Sequence, residues 1–380
     1  MSAAPTGNTV ITGGRGFLGW HTSVRFRAGK VIEPIPLGRD AFQSVDALAA
    51  ALAGVDTIIH LAGVNRAETD ELVEQGNIEI AETLAAAVSA GGVPTHLVYG
   101  NSIQALADSA YGRGKARAAM ILREVIDKVG GTFVDVRLPN IFGEHGRPHY
   151  NSFVSTFCHE VTHGREPRIK IDKHVPLLHA QQAARVLIRA SRDRTSCVID
   201  PQGEAHGVSE VLSRLVDFHA TYSQGQIPAL PDQFTLDLFN TYRSYTFPKQ
   251  FPFASEVHAD ARGELFETVR MHGGTGQTFV STTAPGVSRG DHFHLSKIER
   301  FFVINGTAEI ALRKVYDDEI VRFRVQGSDR SFVDMPTLWV HNITNVGDDE
   351  LITLFWADQL HNPAAPDTFW EPVESEDGSL

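Results

Sequence analysis

Apolar and polar positions keep two different rhythms along this chain of 380 residues. Short apolar runs occupy 8–12, 31–37, 56–61 and 95–99, and stretches of helical spacing lie between and after them, as at 45–53 and 78–90. Strands alternating with helices predict a parallel, doubly wound sheet. Helical spacing continues through 207–222, where Val208, Val211, Leu212, Leu215 and Phe218 share a face, and again through 232–245. Beyond residue 257 the rhythm changes to short strands parted by turns, at 265–271, 278–283, 300–304, 307–314, 320–326, 331–335 and 350–356. That pattern predicts an all-β jelly-roll barrel. The Pro- and aromatic-rich segment 247–253 reads as the link, so the expected domains are 1–247 and 248–380.

Length agrees with two domains. A formal net charge of -12 argues against nucleic acid or an anionic membrane as partner. No run of about 18 apolar residues occurs, and the first residues lack the basic, apolar, small-residue succession of a signal peptide. A cytoplasmic protein is expected, with Cys158 and Cys197 reduced. The acidic tail 371–380 is expected to fray.

The first chemistry lies at the end of the first strand. Gly13-Gly14-Arg15-Gly16-Phe17-Leu18-Gly19 joins that strand to a helix. Such a loop lets backbone amides and a helix N-terminus approach a pyrophosphate, which makes the sheet a Rossmann-type dinucleotide fold. The second strand ends Leu37-Gly38-Arg39-Asp40. An acid there accepts the ribose hydroxyls of NAD, whereas an arginine holds the 2′-phosphate of NADP. Arg39, helped by Arg15, favours NADPH; Asp40 keeps NADH open. Further on, Tyr111 and Lys115 are four apart and share a helix face. A nearby ammonium stabilises tyrosinate, so the phenol can exchange a proton with a substrate oxygen. Ser102 stands ready to polarise a carbonyl.

The second chemistry lies in the barrel. His292 and His294 are two apart, so on a strand they aim to one side. Glu299 joins them from the next strand, and His341 offers a fourth ligand. Three imidazoles and a carboxylate suit zinc or another divalent transition metal. The alternative is a buried polar pocket without a metal.

These residues carry resemblances. Residues 1 to about 245 resemble an extended short-chain dehydrogenase/reductase, through the glycine loop, Leu61-Ala62-Gly63, Ser102, Tyr111, Lys115 and the segment 137–143. Members commonly act on nucleotide-linked sugars. The resemblance implies cofactor contacts at Leu61, Ala62 and Gly63 and substrate contacts at Asn140 and 149–153, including Asn151. Ser102 and Tyr111 are closer in sequence than is usual in that family, so the loop between them must be tight. The string from Gly286 to Gly306 resembles the first cupin motif, and Pro336 to Asn345 the second, with Leu338 where cupins usually carry glycine. Segments around Arg262 and Arg289 resemble dTDP-4-keto-6-deoxysugar epimerases, in which arginines hold the diphosphate. Lys297 is then an acid, base or phosphate contact, or a solvated turn lysine.

Together the two halves resemble the CapF/WbjC-type capsule-biosynthesis enzymes. The most distinctive pieces are Leu61 to Arg66, Ser102 to Ala105, Tyr150 to Ser152, His341 to Ile343, and Asn362-Pro363-x-x-Pro366-Asp367-Thr368. Leu295 departs, standing where the family often has a further histidine. The resemblance implies a zinc cupin that epimerises C3 of a UDP-4-keto-6-deoxy-N-acetylhexosamine and a reductase domain that reduces C4 with NADPH, towards UDP-N-acetyl-L-fucosamine. It also implies substrate contacts at Asn65 and Arg66 and a homo-oligomer, dimer or tetramer. The alternative reading keeps the reductase and makes the cupin a structural or dimerising domain.

Overall fold

The computed structural model describes residues 8–30 and 33–374, so part of the expected strand 31–37 lies outside the described residues. The chain divides into two compact units, residues 1–156 with 170–208 and residues 157–169 with 209–380.

The first unit is built on six parallel strands: β1 (Asn8–Thr12), β2 (Ile35–Leu37), β3 (Val55–His60), β4 (His96–Ser102), β5 (Thr132–Leu138) and, after β6 (Asn140–Phe142) and β7 (His174–His179), β8 (Cys197–Ile199). Their order is β2-β1-β3-β4-β5-β8, so the order reverses beside β1. The strands are apolar because both faces are covered. Val10 packs with Leu48, Leu84 and Leu122 on one side, and its neighbour Ile11 packs with Phe26, Val136 and Leu187 on the other. Helices α1 (Phe17–Ala28), α2 (Val45–Ala51), α3 (Asp70–Gly91) and α4 (Ala110–Lys128) alternate with these strands. Thr69 and Ser109 cap α3 and α4 by accepting from Leu72 N and Gly112 N. A small sheet adds β9 (Glu204–Gly207) to β7 and β6. The boundary between the units falls within α5 (Phe153–Thr162), and α6 (Ala180–Asp193) lies in the first unit.

The second unit opens with α7 (Val208–Tyr222) and α8 (Gln233–Arg243) and continues as strands β10 (Phe253–Ala254), β11 (Val257–Asp260), β12 (Gly263–Phe266), β13 (Gln277–Thr283), β14 (Ser288–Phe293), β15 (Glu299–Asn305), β16 (Thr307–Lys314), β17 (Ile320–Gln326), β18 (Ser331–Met335), β19 (Trp339–Asn345), β20 (Leu351–Ala357) and β21 (Phe369–Trp370). Two five-stranded antiparallel sheets, β10-β18-β15-β20-β13 and β17-β16-β19-β14-β21, form the expected cupin jelly roll. Phe301, Ile310, Leu312, Met335, Ile343 and Phe355 fill it, with Phe247 and Phe251 of the link packed against them.

Three details differ from the sequence reading. Residue 247 marks the change from helix to strand but not the change in packing, because α7 and α8 belong with the barrel. Tyr222 donates to Asp334, Arg243 donates to the Met335 carbonyl, and Asn240 donates to the Ser296 carbonyl. The expected strand 265–271 stops at Phe266, where β12 pairs only with β11 as an exposed hairpin. The expected fraying does not begin at residue 371: Val373 is buried, and Glu371 pairs with Arg313 at 2.8 Å.

Candidate active site and metal centre

The glycine loop sits where the strand order of the first sheet reverses, the place at which open α/β sheets receive ligands. Gly13 has a φ of +70°, and a side chain there would stand 2.7 Å from Ala62 N. Gly19 lies so close beneath the loop that a Cβ would be 2.2 Å from the Gly13 carbonyl. The Gly13 approach brings the turn against Leu61 and Ala62 after β3. His60 fastens the same strand end, since its Nδ1 lies 2.6 Å from Thr12 Oγ1, and burial pushes its pKa down to about 3. Phe17 and Leu18 begin α1, with Phe17 edge-on to His21 and Leu18 packed into the core. Arg15 and Asp40 face each other at 3.7 Å, both largely exposed, and Arg39 opens a short turn of 3-10 helix beside them. The loop fits a dinucleotide fold: it closes so tightly that a side chain at Gly13 or Gly19 would strike backbone and force the turn apart.

The short interval between Ser102 and Tyr111 is closed by a 3-10 turn, Ile103–Leu106, followed directly by the Ser109 cap. Ser102 and Tyr111 are thereby brought into hydrogen-bonding reach. Burial raises the Tyr111 pKa, the nearby Ser102 hydroxyl lowers it, and the nearby Tyr150 raises it. Lys115 does not act on the phenol in this state. Its Nζ donates to the Gly100 carbonyl at 2.9 Å and lies 4.2 Å from the centre of the Tyr99 ring. Burial pulls the Lys115 pKa down to about 7, with Asp135 opposing. The amine expected from sequence to stabilise a tyrosinate is held on the Gly100 carbonyl and beside the Tyr99 ring instead.

Of the expected substrate contacts in this unit, Asn65, Arg66, Asn140 and Asn151 are all exposed. Arg66 donates to the His149 carbonyl at 3.1 Å, and its guanidinium and that of Arg147 lie 5.9 and 5.3 Å from the centre of the Tyr150 ring. Asn140 donates to the Pro176 carbonyl. Tyr150 belongs to the segment 149–153 that the resemblance implied, whereas Arg147 carried no motif that would have singled it out.

In the barrel, His292, His294, Glu299 and His341 converge, with one ligand atom of each within 4.8 Å of the others. His292 lies on β14 opposite His341 on β19, and the register shifts at Asp291, whose φ is +57°. That bulge rotates the strand so that both rings reach Glu299 from the side. The Nε2 atoms of His292, His294 and His341 lie 3.8, 3.1 and 3.6 Å from Glu299 Oε2. The Nε2 atoms of His294 and His341 are buried without a hydrogen-bond partner of good geometry, which is the mark of a metal-ligand set. Tautomers agree: Nδ1 of His294 faces the Asp367 carbonyl and Nδ1 of His341 the Trp339 carbonyl, so each Nε2 keeps its lone pair. Burial holds His341 at about 4, the neutral form a metal needs. Burial pushes the Glu299 pKa up, but His294 and the two further histidines beside it outweigh that and hold the carboxyl well below its usual range. The donor set therefore fits a divalent transition metal.

Leu338 preserves the turn that cupins usually make with glycine. It takes a left-handed φ of +66° while fully buried, and its N–H donates to the His294 carbonyl at 2.8 Å. The left-handed backbone costs about 1–2 kcal/mol, and burying a leucine offsets that. Lys297 is not a solvated turn residue. Its Nζ lies 2.7 Å from Glu299 Oε1 and donates to Thr368 Oγ1 at 3.1 Å. Lys297 and Glu299 line a cavity of about 270 Å³ whose walls also include Gln277, Phe279, His361 and Thr368. Arg262 is exposed on the β11–β12 hairpin against Asp260, and Arg289 donates to Thr283 and the Thr282 carbonyl; neither lines that cavity.

Comparison with known proteins follows this geometry. Residues 9–198 match the NAD dependent epimerase/dehydratase family, and 258–369 match the polysaccharide biosynthesis C-terminal domain. A curated relative is the UDP-2-acetamido-2,6-beta-L-arabino-hexul-4-ose reductase of Pseudomonas aeruginosa, 32% identical over 95% of this chain and 97% of that protein. The crystal structure of the capsular polysaccharide assembling protein CapF from Staphylococcus aureus superposes with a TM-score of 0.61 and 28% identity, covering 96% of this chain and 99% of that one. A UDP-N-acetylglucosamine 4-epimerase from Methanobrevibacter ruminantium, 16% identical with a TM-score of 0.53 over 63% of this chain and 98% of its own, shares the fold alone. The full-length likeness, with both family matches in one chain, makes this protein a member of the CapF/WbjC-type enzymes, an NAD dependent epimerase/dehydratase fold joined to a cupin barrel.

Proposed function

We propose that the chain acts twice on one sugar: the barrel epimerises C3 of a UDP-4-keto-6-deoxy-N-acetylhexosamine, and the Rossmann unit reduces the C4 ketone with NADPH, towards a UDP-N-acetyl-L-fucosamine-type sugar for surface polysaccharide. The observation that carries the reading is the Ser102–Tyr111 pair, with Lys115 one helical turn on, in a chain 32% identical to a reductase of such a keto sugar. When bound, the dinucleotide supplies a hydride and the divalent cation supplies fixed positive charge.

The chain's own residues do the rest. In the barrel, Lys297 is the group placed to move the proton at C3, since it lies at the cavity beside Glu299. Loss of that proton to Lys297 leaves an enolate with its charge on the C4 oxygen; a proton from solvent arriving on the opposite face inverts C3, and Lys297 returns its own proton to water. In the Rossmann unit Ser102 orients the C4 oxygen and Tyr111 gives it a proton as hydride arrives at C4. Lys115 then turns from Gly100 to support the phenolate. Arg39 and Arg15 favour the 2′-phosphate of NADPH, and Asn65, Arg66, Asn140 and Asn151 contact the sugar nucleotide, as Arg262 and Arg289 do at the barrel. The enzyme works in the cytoplasm as a homo-oligomer, a reading supported by Phe279 and Val280, exposed on the edge strand β13.

The test is incubation with UDP- and dTDP-4-keto-6-deoxysugars in deuterated water with NADPH or NADH, followed by NMR. Deuterium at C3 and a hydroxyl at C4 are expected; a C4 hydroxyl with no C3 deuterium from any sugar sinks the epimerase half. One observation favours a second reading, a purely structural metal: His294 and His341 are 1% and 0% exposed.

A further inference from the structure

We infer that Asp367 is the positioning residue of the metal centre, and that residues 367–370 form a strap holding His292, His294 and Lys297 in place while contributing no ligand. The inference rests on the metal reading above.

The turn between β14 and β15 has no regular structure, yet four consecutive backbone N–H groups in it are received by carboxylates. Leu295 N donates to Asp367 Oδ1 at 3.0 Å, Ser296 N and Lys297 N donate to Oδ2 at 2.9 and 2.8 Å, and Ile298 N donates to Asp358 at 2.9 Å. The Ser296 hydroxyl adds a further bond to Asp367 Oδ2 at 3.1 Å. Hydrogen bonds to an ionised acceptor are roughly twice as strong as neutral ones, so a single side chain sets the path of this turn. The same residue works through its backbone as well: the Asp367 carbonyl lies 2.5 Å from His294 Nδ1, which leaves Nε2 free to ligate. The next residue, Thr368, accepts from Lys297 Nζ. Phe369 and Trp370 then pair as β21 with Phe293 and His292. The strap thus touches one metal-binding strand, one ligand tautomer and the lysine at the cavity. From the opposite side Asn240 of α8 donates to the Ser296 carbonyl at 2.7 Å, so the turn is clamped from two directions.

Outer partners of metal ligands typically contribute about 10–100-fold in affinity. The experiment uses the full chain, zinc competition against a chromophoric chelator, and the visible absorption of the Co(II)-loaded protein. The wild type is expected to bind one equivalent. Asp367→Ala is expected to bind about 10–100-fold more weakly with an altered Co(II) band, and Asp367→Asn, which keeps an acceptor at one of the two positions, to fall between them. Thr368→Val leaves His294 untouched and is expected to keep both affinity and band while slowing C3 exchange. Asp367→Ala and Asp367→Asn within twofold of the wild type, with the same band, would overturn the role of Asp367 and leave the metal reading standing. No metal on the wild type would overturn both. Should the alanine variant fail to fold, the asparagine variant decides by the same two readouts.

Discussion

The dinucleotide cradle is made mostly of backbone, whereas the metal cluster is made of side chains. In the first, Gly13 and Gly19 let the loop close on itself and on the end of β3, and Tyr111 and Lys115 lie at the start of α4, with Lys115 on the Gly100 carbonyl. In the second, imidazoles are already aimed at Glu299, with tautomers fixed and two nitrogens lacking partners. One site is a space with a movable lysine; the other is preorganised around a charge. The difference follows from what each must hold. A pyrophosphate asks for many amides at close range, and a small cation asks for a few donors at set angles.

The comparison is broken most sharply by exchanging damage between the sites. Tyr111→Phe is expected to lower C4 reduction about 10²–10⁴-fold while zinc content and C3 exchange stay unchanged. His294→Ala is expected to do the reverse, losing metal by more than the about 100-fold typical of an outer partner while dinucleotide binding, read by fluorescence titration, is retained. A smaller effect is expected for Gly19→Ala. Its methyl must displace the Gly13 carbonyl, at about 1–3 kcal/mol by the usual scale of overpacking, and a titration should show weakened dinucleotide binding with the metal site intact.

The smallest effect concerns pH. The Lys115 pKa in the fold, about 7, lies below its ordinary 10.5, because burial disfavours the ammonium. Across that window the unfolded chain binds the extra proton, so this lysine makes stability rise with pH between about 7 and 10.5. Thermal melts should show that rise in the wild type and a flatter profile in Lys115→Met; equal slopes would refute the lowered pKa of the buried lysine.

The glycine loop, the Tyr–Lys spacing and the histidine string were legible because each repeats at the period of the element that carries it. Leu338 shows where such reading stops. Residue type argued against a left-handed turn there, and the turn forms nonetheless because the His294 carbonyl receives its N–H and the core receives its side chain. Helices α7 and α8 were legible as helices but not as parts of the barrel unit, since the bonds from Asn240, Arg243 and Tyr222 reach far along the chain. Asp367 stood in a conspicuous Pro-rich segment, but nothing in its spacing says that it will cap a turn some seventy residues earlier. The direction of Lys115 was also hidden, because it depends on which acceptors surround a buried amine.

The position of Asp367 along the chain has a consequence for biosynthesis. A ribosome adds about 5–20 residues per second, so His292, His294, Glu299 and His341 are all made before the strap that arranges them. For a few seconds the nascent barrel carries these donors on an unclamped turn, open to whichever imidazole-seeking ion is abundant. On the proposed metal reading, the strap docks last and closes the site around whatever ion it then holds, so chains made in cells starved of the right ion are expected to carry a wrong one.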